Sequence, residues 1–145
     1  MFVFRMHGAD HEVFDTTGAL LYPARWHSAG TRVVYASEYA SLAVLETLIH
    51  AGGRMMPPRM LTRIHIPDDL VIESIAWKEM PDSQSFGDAW VREARTAVLR
   101  VPSIAINKLE SNFVFNPAHR GFARIEHDPP EKFVFDPRFL ALPPQ

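Results

Sequence analysis

The sequence predicts an α+β fold in a compact single domain, with mixed, mostly antiparallel strands and a few helices, and three observations support this prediction. The chain has 145 residues, of which 47% are hydrophobic, so it can bury one core but not two. Short runs rich in β-branched and aromatic residues outnumber the segments with helical periodicity. These runs do not alternate regularly with helices, as they would in a doubly wound parallel sheet. One domain is therefore expected over residues 1–145.

The first half of the chain contains two predicted strands and one predicted helix. An aromatic run at 2–6 forms the first strand, and alternation places Arg5 on one of its faces. An irregular, turn-rich stretch follows, and a β-branched run then predicts a second strand at 32–37. Ser37 can cap the helix that comes next, and Gly52-Gly53 ends it.

The second half is predicted to contain short strands, turns and one further helix. Strands at 61–66 and 70–74 are separated by a proline-containing segment that suits a tight connection. A helix is expected over 86–99, with Ser85 and Asp88 forming a start that resembles a capping box. The remaining predicted strands are short and lie at 102–106, near 122–126 and at 132–136.

Charge and composition exclude several classes of function. The formal net charge is −2 and the lysines and arginines form no run, so direct binding to nucleic acid is disfavoured. The chain has no cysteine, which excludes disulfides, thiolate catalysis and cysteine-based zinc sites. No window approaches the ~20 apolar residues of a membrane span, and no basic region precedes a long apolar stretch. We therefore expect a cytoplasmic protein that does not bind membranes.

Glu46 is the most informative residue, because it places a carboxylate on the apolar stripe of the first predicted helix, between Leu42 and Ile49. An ionised carboxylate there costs several kcal/mol, roughly, unless cations or hydrogen-bond donors surround it. Arg5 and Arg25 are the candidate cations, since a guanidinium can serve a buried carboxylate or bind a phosphate. A purely structural ion pair is the alternative interpretation.

Other patterns give no cofactor or metal site. His7 and His11 have helical ligand spacing, but the strand before them and Gly8 argue against a helix there, so no metal is expected. His50 lies four residues after Glu46 and could hydrogen-bond it or line a pocket rim. A histidine pair could also support ribonuclease chemistry, but the sequence lacks the basic groove that RNA would need. The glycines form no phosphate-binding loop that opens a helix.

Several sequence blocks occur in a fixed order along nearly the whole chain. They are Arg5, Arg25-Trp-His-Ser-Ala-Gly30, Val34-Tyr-Ala-Ser37, Leu45-Glu46, Val101-Pro-Ser103, Asn116-Pro-Ala-His119 and Phe133-Val-Phe-Asp136 with Arg138. Together these blocks resemble the RES domain, a family of bacterial toxins paired with Xre-like antitoxins. The pattern departs from the family at Pro23-Ala24, where a glycine pair is frequent, and at His27, where asparagine is common.

The resemblance implies an ADP-ribosyltransferase-like fold and NAD as substrate, not as cofactor. The expected reaction is cleavage of the nicotinamide–ribose bond by hydrolysis or phosphorolysis, which depletes cellular NAD. Transfer of ADP-ribose to a protein is a second possibility that uses the same pocket, and a non-catalytic binding module is a third. An Xre-like antitoxin is the implied partner, and the oligomeric state stays open between a homo-oligomer and a hetero-oligomer with that antitoxin.

The resemblance also assigns roles to residues, and their chemistry suits the reaction. A fixed carboxylate can stabilise the positive charge that develops on ribose as nicotinamide leaves. Arginines can clamp the pyrophosphate, and an aromatic face can stack on the cationic ring. Serine hydroxyls can bond the ribose or the carboxamide, and Trp26 is expected to anchor Arg25 by packing. The predicted catalytic residues are Glu46, Arg25 and Tyr35, and the predicted substrate-binding residues are Arg5, Ser103, Ser37, Trp26 and His27.

Overall fold

The computed structural model describes residues 1–76 and 82–139, and within them the chain forms eight strands and three α-helices. The strands are β1 Phe2–His7, β2 Val34–Ser37, β3 Arg59–His65, β4 Ile72–Ser74, β5 Val98–Pro102, β6 Ser111–Phe115, β7 Glu126–His127 and β8 Glu131–Phe133. The α-helices are α1 Thr17–Leu21, α2 Ala40–Ala51 and α3 Ser83–Arg92, and 3₁₀ turns cover Arg120–Arg124 and Pro137–Phe139. In this part of the chain no helix has the length and apolar character needed to span a bilayer.

All eight strands belong to one sheet, which confirms the predicted α+β class. Its order is β4-β5-β6-β2-β1-β3-β7, and β8 pairs with β3 beside β7. The pairings are antiparallel except that between β4 and β5, which is parallel. Neighbours in the chain are therefore often distant in the sheet, because pairing follows burial and not only sequence order.

The connection between β3 and β4 illustrates this point. A turn does follow β3, with the Leu70 amide donating to the Pro67 carbonyl at 3.0 Å. The two strands nevertheless lie near opposite edges of the sheet, and Ile72 pairs in parallel with Val98 of β5. The turn chemistry predicted locally is thus present, but it redirects the chain instead of closing a hairpin.

Both helix starts differ from the prediction. Ser37 ends β2 and does not cap α2, whose first turn has Tyr39 at the cap position without a side-chain bond. Gly52 ends α2 in the left-handed region at φ 61°, as predicted. The helix predicted at 86–99 begins earlier, where Asp82 accepts the Ser85 amide, and ends at Arg92. It stops early because the residues after it enter the sheet as β5.

The strand predictions in the second half need three corrections. The buried strand predicted at 102–106 is β5 at Val98–Pro102, and Ile104 beyond it is exposed in a turn. The segment near 122–126 is mainly the 3₁₀ turn, with the two-residue β7 after it. The strand predicted at 132–136 is the shorter β8. Strand β6 was not predicted, although it is central to the sheet.

The core lies on both faces of the sheet, and the alternation in β6 shows how it is divided. Phe113 and Phe115 point into one cluster with Val3 and Ile64, and Val114 points into another with Trp26. A third cluster holds α2 against β1 and the C-terminal segment, with these buried members: Met6, Ala43, Val44 and Phe135. Phe135 therefore packs onto the domain, and residues 140–145 lie outside the described residues.

Candidate active site

A cleft opens where β1 and β2 separate. The two strands pair at one position, Phe4 with Ser37. The Tyr35 carbonyl lies beyond that pair and has no backbone hydrogen-bond partner in β1. The Arg5 guanidinium takes that place, donating from Nη1 to the Tyr35 carbonyl at 2.8 Å and from Nε to the Val13 carbonyl at 2.6 Å. Two carbonyl oxygens thus hold Arg5 in the gap between the strands.

Three adjoining cavities form this cleft, and all three are lined by Tyr35 and His50. The inner cavity, of about 400 Å³, is bounded by Arg5 and Glu46. The second, of about 700 Å³, shares Glu46 and is bounded by Arg25 near α3. The third, of about 740 Å³, shares Arg5 and extends towards α1. The volume suits a ligand larger than a single ring.

Neutral donors hold the Glu46 carboxylate. Its Oε1 accepts the Ser103 hydroxyl at 2.8 Å and the Asn112 side-chain amide at 2.8 Å. Asn112 in turn accepts the Ser37 hydroxyl through Oδ1, also at 2.8 Å. The expectation that Arg5 pairs directly with Glu46 is not what the structure shows, since the fork of Arg5 is turned to backbone carbonyls. This network fixes one carboxylate oxygen of Glu46, and the residue lines two of the three cavities.

The position of Glu46 follows from the way in which α2 packs. The helix buries Leu42, Ala43 and Val44 against the sheet, whereas Ile49 is 53% exposed. The apolar stripe predicted through Ile49 is therefore rotated, and Glu46 stands at the border between the buried face and the cleft. A carboxylate at such a border can keep part of its hydration while one oxygen is fixed.

Tyr35 is held by a buried histidine. Its phenol oxygen lies 2.6 Å from Nδ1 of His27, which is only 2% exposed. Nε2 of His27 lies 3.1 Å and 2.8 Å from the carbonyls of Ala19 and Tyr22, so it carries the proton and Nδ1 accepts from the phenol. Burial raises the pKa of Tyr35, partly offset by a hydrogen bond to the Trp26 backbone. The phenol is therefore neutral at physiological pH.

The first turn of α3 positions the Arg25 segment. The Ser83 hydroxyl donates to the Arg25 carbonyl at 2.6 Å, and the Gln84 amide donates to the Ala24 carbonyl at 2.9 Å. Gly87 faces the Trp26 backbone so closely that a Cβ there would lie 1.7 Å from its carbonyl oxygen. Only glycine permits this approach, and the contact anchors the loop that carries Arg25.

Asp88 completes this anchor. Its Oδ1 accepts the Ser28 amide at 2.9 Å and the Thr31 hydroxyl at 2.9 Å. Burial works to raise the pKa of Asp88, but these hydrogen bonds outweigh it and lower the pKa. The residue predicted to take part in a capping box therefore holds the loop of residues 28–31 instead.

The structure brings most of the predicted site residues to one cleft. Glu46, Tyr35 and Arg25, the three residues predicted to be catalytic, line one of its cavities together. Ser103 is fully buried behind Glu46, and His27 stands behind Tyr35, so each holds a cleft residue through a hydrogen bond. The other predicted residues in the cleft wall are Arg5, Ser37 and Trp26.

Sequence reasoning missed Asn112 and Arg59, which also line the cleft. Asn112 could have been found from alternation, because it precedes Phe113 in the run Ser111–Phe115 and so faces away from that aromatic side chain. Arg59 carries no comparable local signal. It reaches the cleft because β3 runs beside β1 in the sheet.

The two histidines with helical spacing, His7 and His11, line the cavity that extends towards α1, and each has a hydrogen-bond partner. His7 lies in β1 and its Nε2 is 2.8 Å from the Thr62 hydroxyl, whereas His11 pairs with Asp15 at 2.6 Å. Across residues 1–76 and 82–139 there is no group of three or more histidines and acidic residues placed to hold a metal ion. His50 is exposed and lines the cleft. In the described part of the chain it forms no hydrogen bond with Glu46.

Comparison with known proteins adds a family to this geometry. The family described as RES domain matches residues 2–136. The "Prs ADP-ribosylating toxin" of Sphingobium sp. (strain YBL2) is 32% identical over 136 residues, covering 85% of this chain and 84% of that protein. A protein named "Toxin Res" from Photorhabdus laumondii is 34% identical over 116 residues, covering 73% of this chain and 74% of that protein.

A solved structure supports the fold. The crystal structure of the M. tuberculosis MbcT–MbcA toxin–antitoxin complex contains a chain that matches with a TM-score of 0.74 at 14% sequence identity. The match covers 92% of this chain and 84% of that chain. At this identity the likeness concerns the arrangement of strands and helices.

Proposed function

The chain belongs to the RES domain family, and from that premise we propose that it is a toxin that cleaves NAD at the nicotinamide–ribose bond. The observation that carries the proposal is the fixed carboxylate of Glu46, which shares a cleft with Tyr35 and with arginines on both sides. A relative named as an ADP-ribosylating toxin supports the same bond as the site of reaction. Depletion of NAD would account for toxicity.

Glu46 would stabilise the charge that develops in the reaction. When the bond between ribose C1 and the pyridinium nitrogen breaks, nicotinamide leaves with the electron pair as a neutral molecule. The ribose becomes cationic, and the carboxylate of Glu46, which lines the cleft, would lie opposite that charge. Because Ser103 and Asn112 already hold the other oxygen, little reorganisation is needed at the moment of reaction. The acceptor oxygen then bonds to C1 and releases its proton.

The cations and the aromatic ring would hold the rest of the substrate. Arg5 and Arg25 provide charge-assisted hydrogen bonds to the pyrophosphate from the two sides of the cleft. The ring of Tyr35, whose phenol is held by His27, offers a face for the cationic nicotinamide, a contact worth about 0.5–2 kcal/mol. Ser37 would bond a ribose hydroxyl or the carboxamide.

Release of free nicotinamide tests the proposal directly. Purified protein, separated from any antitoxin and shown to be folded by circular dichroism, is incubated with NAD in buffer with and without inorganic phosphate. We expect release in one or both conditions, and the phosphate dependence distinguishes phosphorolysis from hydrolysis. No release in either condition would contradict the proposal. Absence of NAD binding by calorimetry would favour the non-catalytic alternative.

Transfer of ADP-ribose to a protein is the second candidate, and the name of the Sphingobium relative favours it. The same cleft residues would act, with a protein side chain in place of water or phosphate. NAD carrying a label in its adenylate, incubated with a lysate, separates the two reactions. Label retained on a protein band supports transfer, whereas label found only in ADP-ribose or its 1-phosphate supports NAD degradation.

We also propose an Xre-like antitoxin as the partner of this chain. The structural relative was solved as a toxin–antitoxin complex. An open, charged cleft that destroys a central metabolite needs a block in the cell that produces it. Co-expression with a candidate Xre-like antitoxin should give a complex in which nicotinamide release is suppressed, and a complex with full activity would contradict inhibition at the cleft.

A further inference from the structure

Arg59 places a further guanidinium beside Arg5 in the lining of the inner cavity, and the residues around it do not neutralise its charge. It lines the inner cavity and the cavity that extends towards α1, and Arg5 lines the same two. Within residues 1–76 and 82–139 the side chain of Arg59 forms no ion pair, and its buried Nε has no hydrogen-bond partner. Unsatisfied buried polar groups are rare in folded proteins and call for a physical explanation.

The charges around the inner cavity favour an anion as the ligand of Arg59. Three arginines, Arg5, Arg54 and Arg59, line it against one carboxylate, Glu46. The carboxylate is held by neutral donors, and the Arg54 Nε is bonded to the Ala51 carbonyl at 3.0 Å. Burial, with a contribution from the positive charge of Arg59, lowers the pKa of Arg5 to about 10. The two guanidiniums therefore repel each other while both remain charged at neutral pH.

An anion between them would reverse that repulsion. Arg5 is fixed by its bonds to the carbonyls of Tyr35 and Val13, which leaves Nη2 free of those bonds. Arg59 is half-buried and has no such bonds. The N–H donors of its guanidinium therefore remain available to bind two oxygens of one ligand. A phosphate group presents several oxygens and at least one negative charge, so it can accept from the fork of Arg59 and from Nη2 of Arg5 at the same time.

We propose that Arg59 and Arg5 together form a phosphate-binding site in the inner cavity, beside Glu46. This inference rests on the proposed function for its natural ligands, and it adds a residue that neither the family resemblance nor the sequence indicated. The phosphate can come from two sources: the pyrophosphate of the dinucleotide, or free inorganic phosphate that acts as acceptor. Both present the same chemistry to the two arginines.

Arg59→Gln tests the site, with Arg63→Gln as the matched control. Arg63 lies on the same strand but outside the cleft, where it pairs with Asp128 at 2.7 Å and is 49% exposed, so its loss should matter little. Binding of ADP, of adenosine and of inorganic phosphate is measured by titration calorimetry on each folded variant. We expect Arg59→Gln to weaken binding of ADP or of inorganic phosphate by about tenfold or more, with adenosine unchanged. Arg59→Lys, which keeps the charge and loses the fork, should fall between wild type and Arg59→Gln.

Pyrophosphate and free inorganic phosphate, the two possible ligands of the site, predict different results in these binding and activity measurements. If the site takes the pyrophosphate, ADP binding weakens and the KM for NAD rises, and the phosphate dependence of nicotinamide release does not change. If it takes free phosphate, the phosphate concentration for half-maximal release rises and ADP binding is unaffected.

Failure of this inference is distinguishable from failure of the proposed function. Unchanged binding of both ADP and inorganic phosphate in folded Arg59→Gln would overturn the inference, and so would a wild-type protein that binds neither. A protein that releases no nicotinamide, yet loses ADP binding on Arg59→Gln, would refute the proposed reaction and leave the phosphate site in place.

Discussion

Substitution of Glu46 separates its chemical role from its structural one. Glu46→Gln keeps an oxygen that can accept from Ser103 and Asn112 and replaces the other oxygen with a neutral amide nitrogen. The hydrogen bonds at Oε1 therefore survive, and the free energy of unfolding should change by less than about 1 kcal/mol. The charge opposite the developing ribose cation is lost, so nicotinamide release should fall by roughly 100- to 1000-fold.

Glu46→Ala provides the contrast, because it removes the acceptor as well as the charge. The Ser103 hydroxyl is fully buried and the Asn112 amide is half-buried, and both lose their partner. At about 1–3 kcal/mol for the buried hydroxyl and about 1 kcal/mol for the half-buried amide, the unfolding free energy should fall by about 2–4 kcal/mol. For a chain of this length that corresponds to a melting temperature lower by roughly 5–15 °C.

The assay combines nicotinamide release with thermal unfolding followed by circular dichroism. Glu126→Gln is the control, since Glu126 is an exposed glutamate in β7 that does not line the cleft. We expect Glu46→Gln to lose activity at nearly wild-type stability, Glu46→Ala to lose both, and the control to lose neither. Turnover of Glu46→Gln at the wild-type level would remove the carboxylate from the mechanism. A Glu46→Ala protein as stable as wild type would refute the account of the network.

Three further substitutions test residues that hold Glu46, His27 and the Arg25 loop in place. Asn112→Ala removes one donor to Glu46 and should lower kcat for nicotinamide release by roughly 10- to 100-fold through misplacement of the carboxylate. Tyr35→Phe leaves Nδ1 of buried His27 without its donor and should cost about 1–3 kcal/mol in chemical denaturation, with nicotinamide release retained. Because burial raises the pKa of Tyr35, its contribution to stability is fully present below about pH 10 and is lost as the pH rises towards the folded pKa, a decline that Tyr35→Phe should remove. Gly87→Ala places a methyl group against the Trp26 carbonyl and should destabilise the fold by about 3 kcal/mol or more in the same unfolding assay.

These predictions have their own controls and contrary results. Gly18→Ala is the match for Gly87→Ala, since a Cβ at Gly18 meets nothing within 4 Å, and equal stability of the two variants would contradict the close packing of α3. Full turnover by Asn112→Ala would mean that Ser103 alone suffices to position Glu46. A Tyr35→Phe protein with wild-type stability at every pH would contradict the hydrogen bond assigned to the phenol.

Local sequence patterns predicted those elements whose limits and buried face depend only on residues close together in the chain. The aromatic strand β1 and the end of α2 at Gly52 follow from alternation and from left-handed geometry, and both are present. The helix predicted at 86–99 fails at its C-terminal side, because apolar spacing there suits a buried strand equally well. Val98 belongs to β5, where it pairs with Phe115. A short apolar run cannot distinguish these states without its neighbours.

The sequence by itself determined the α+β class and the family, because these depend on residue types and their order along the chain. Only the tertiary structure decided what meets the charge of Glu46. Two neutral donors from β6 and the end of β5 take the place expected for a guanidinium, and Arg5 instead bridges the gap between β1 and β2. Such partners are set by which strands lie side by side, and pairing across a sheet depends on burial of the whole domain. For the same reason the position of Arg59 beside Arg5 could not be read from the chain.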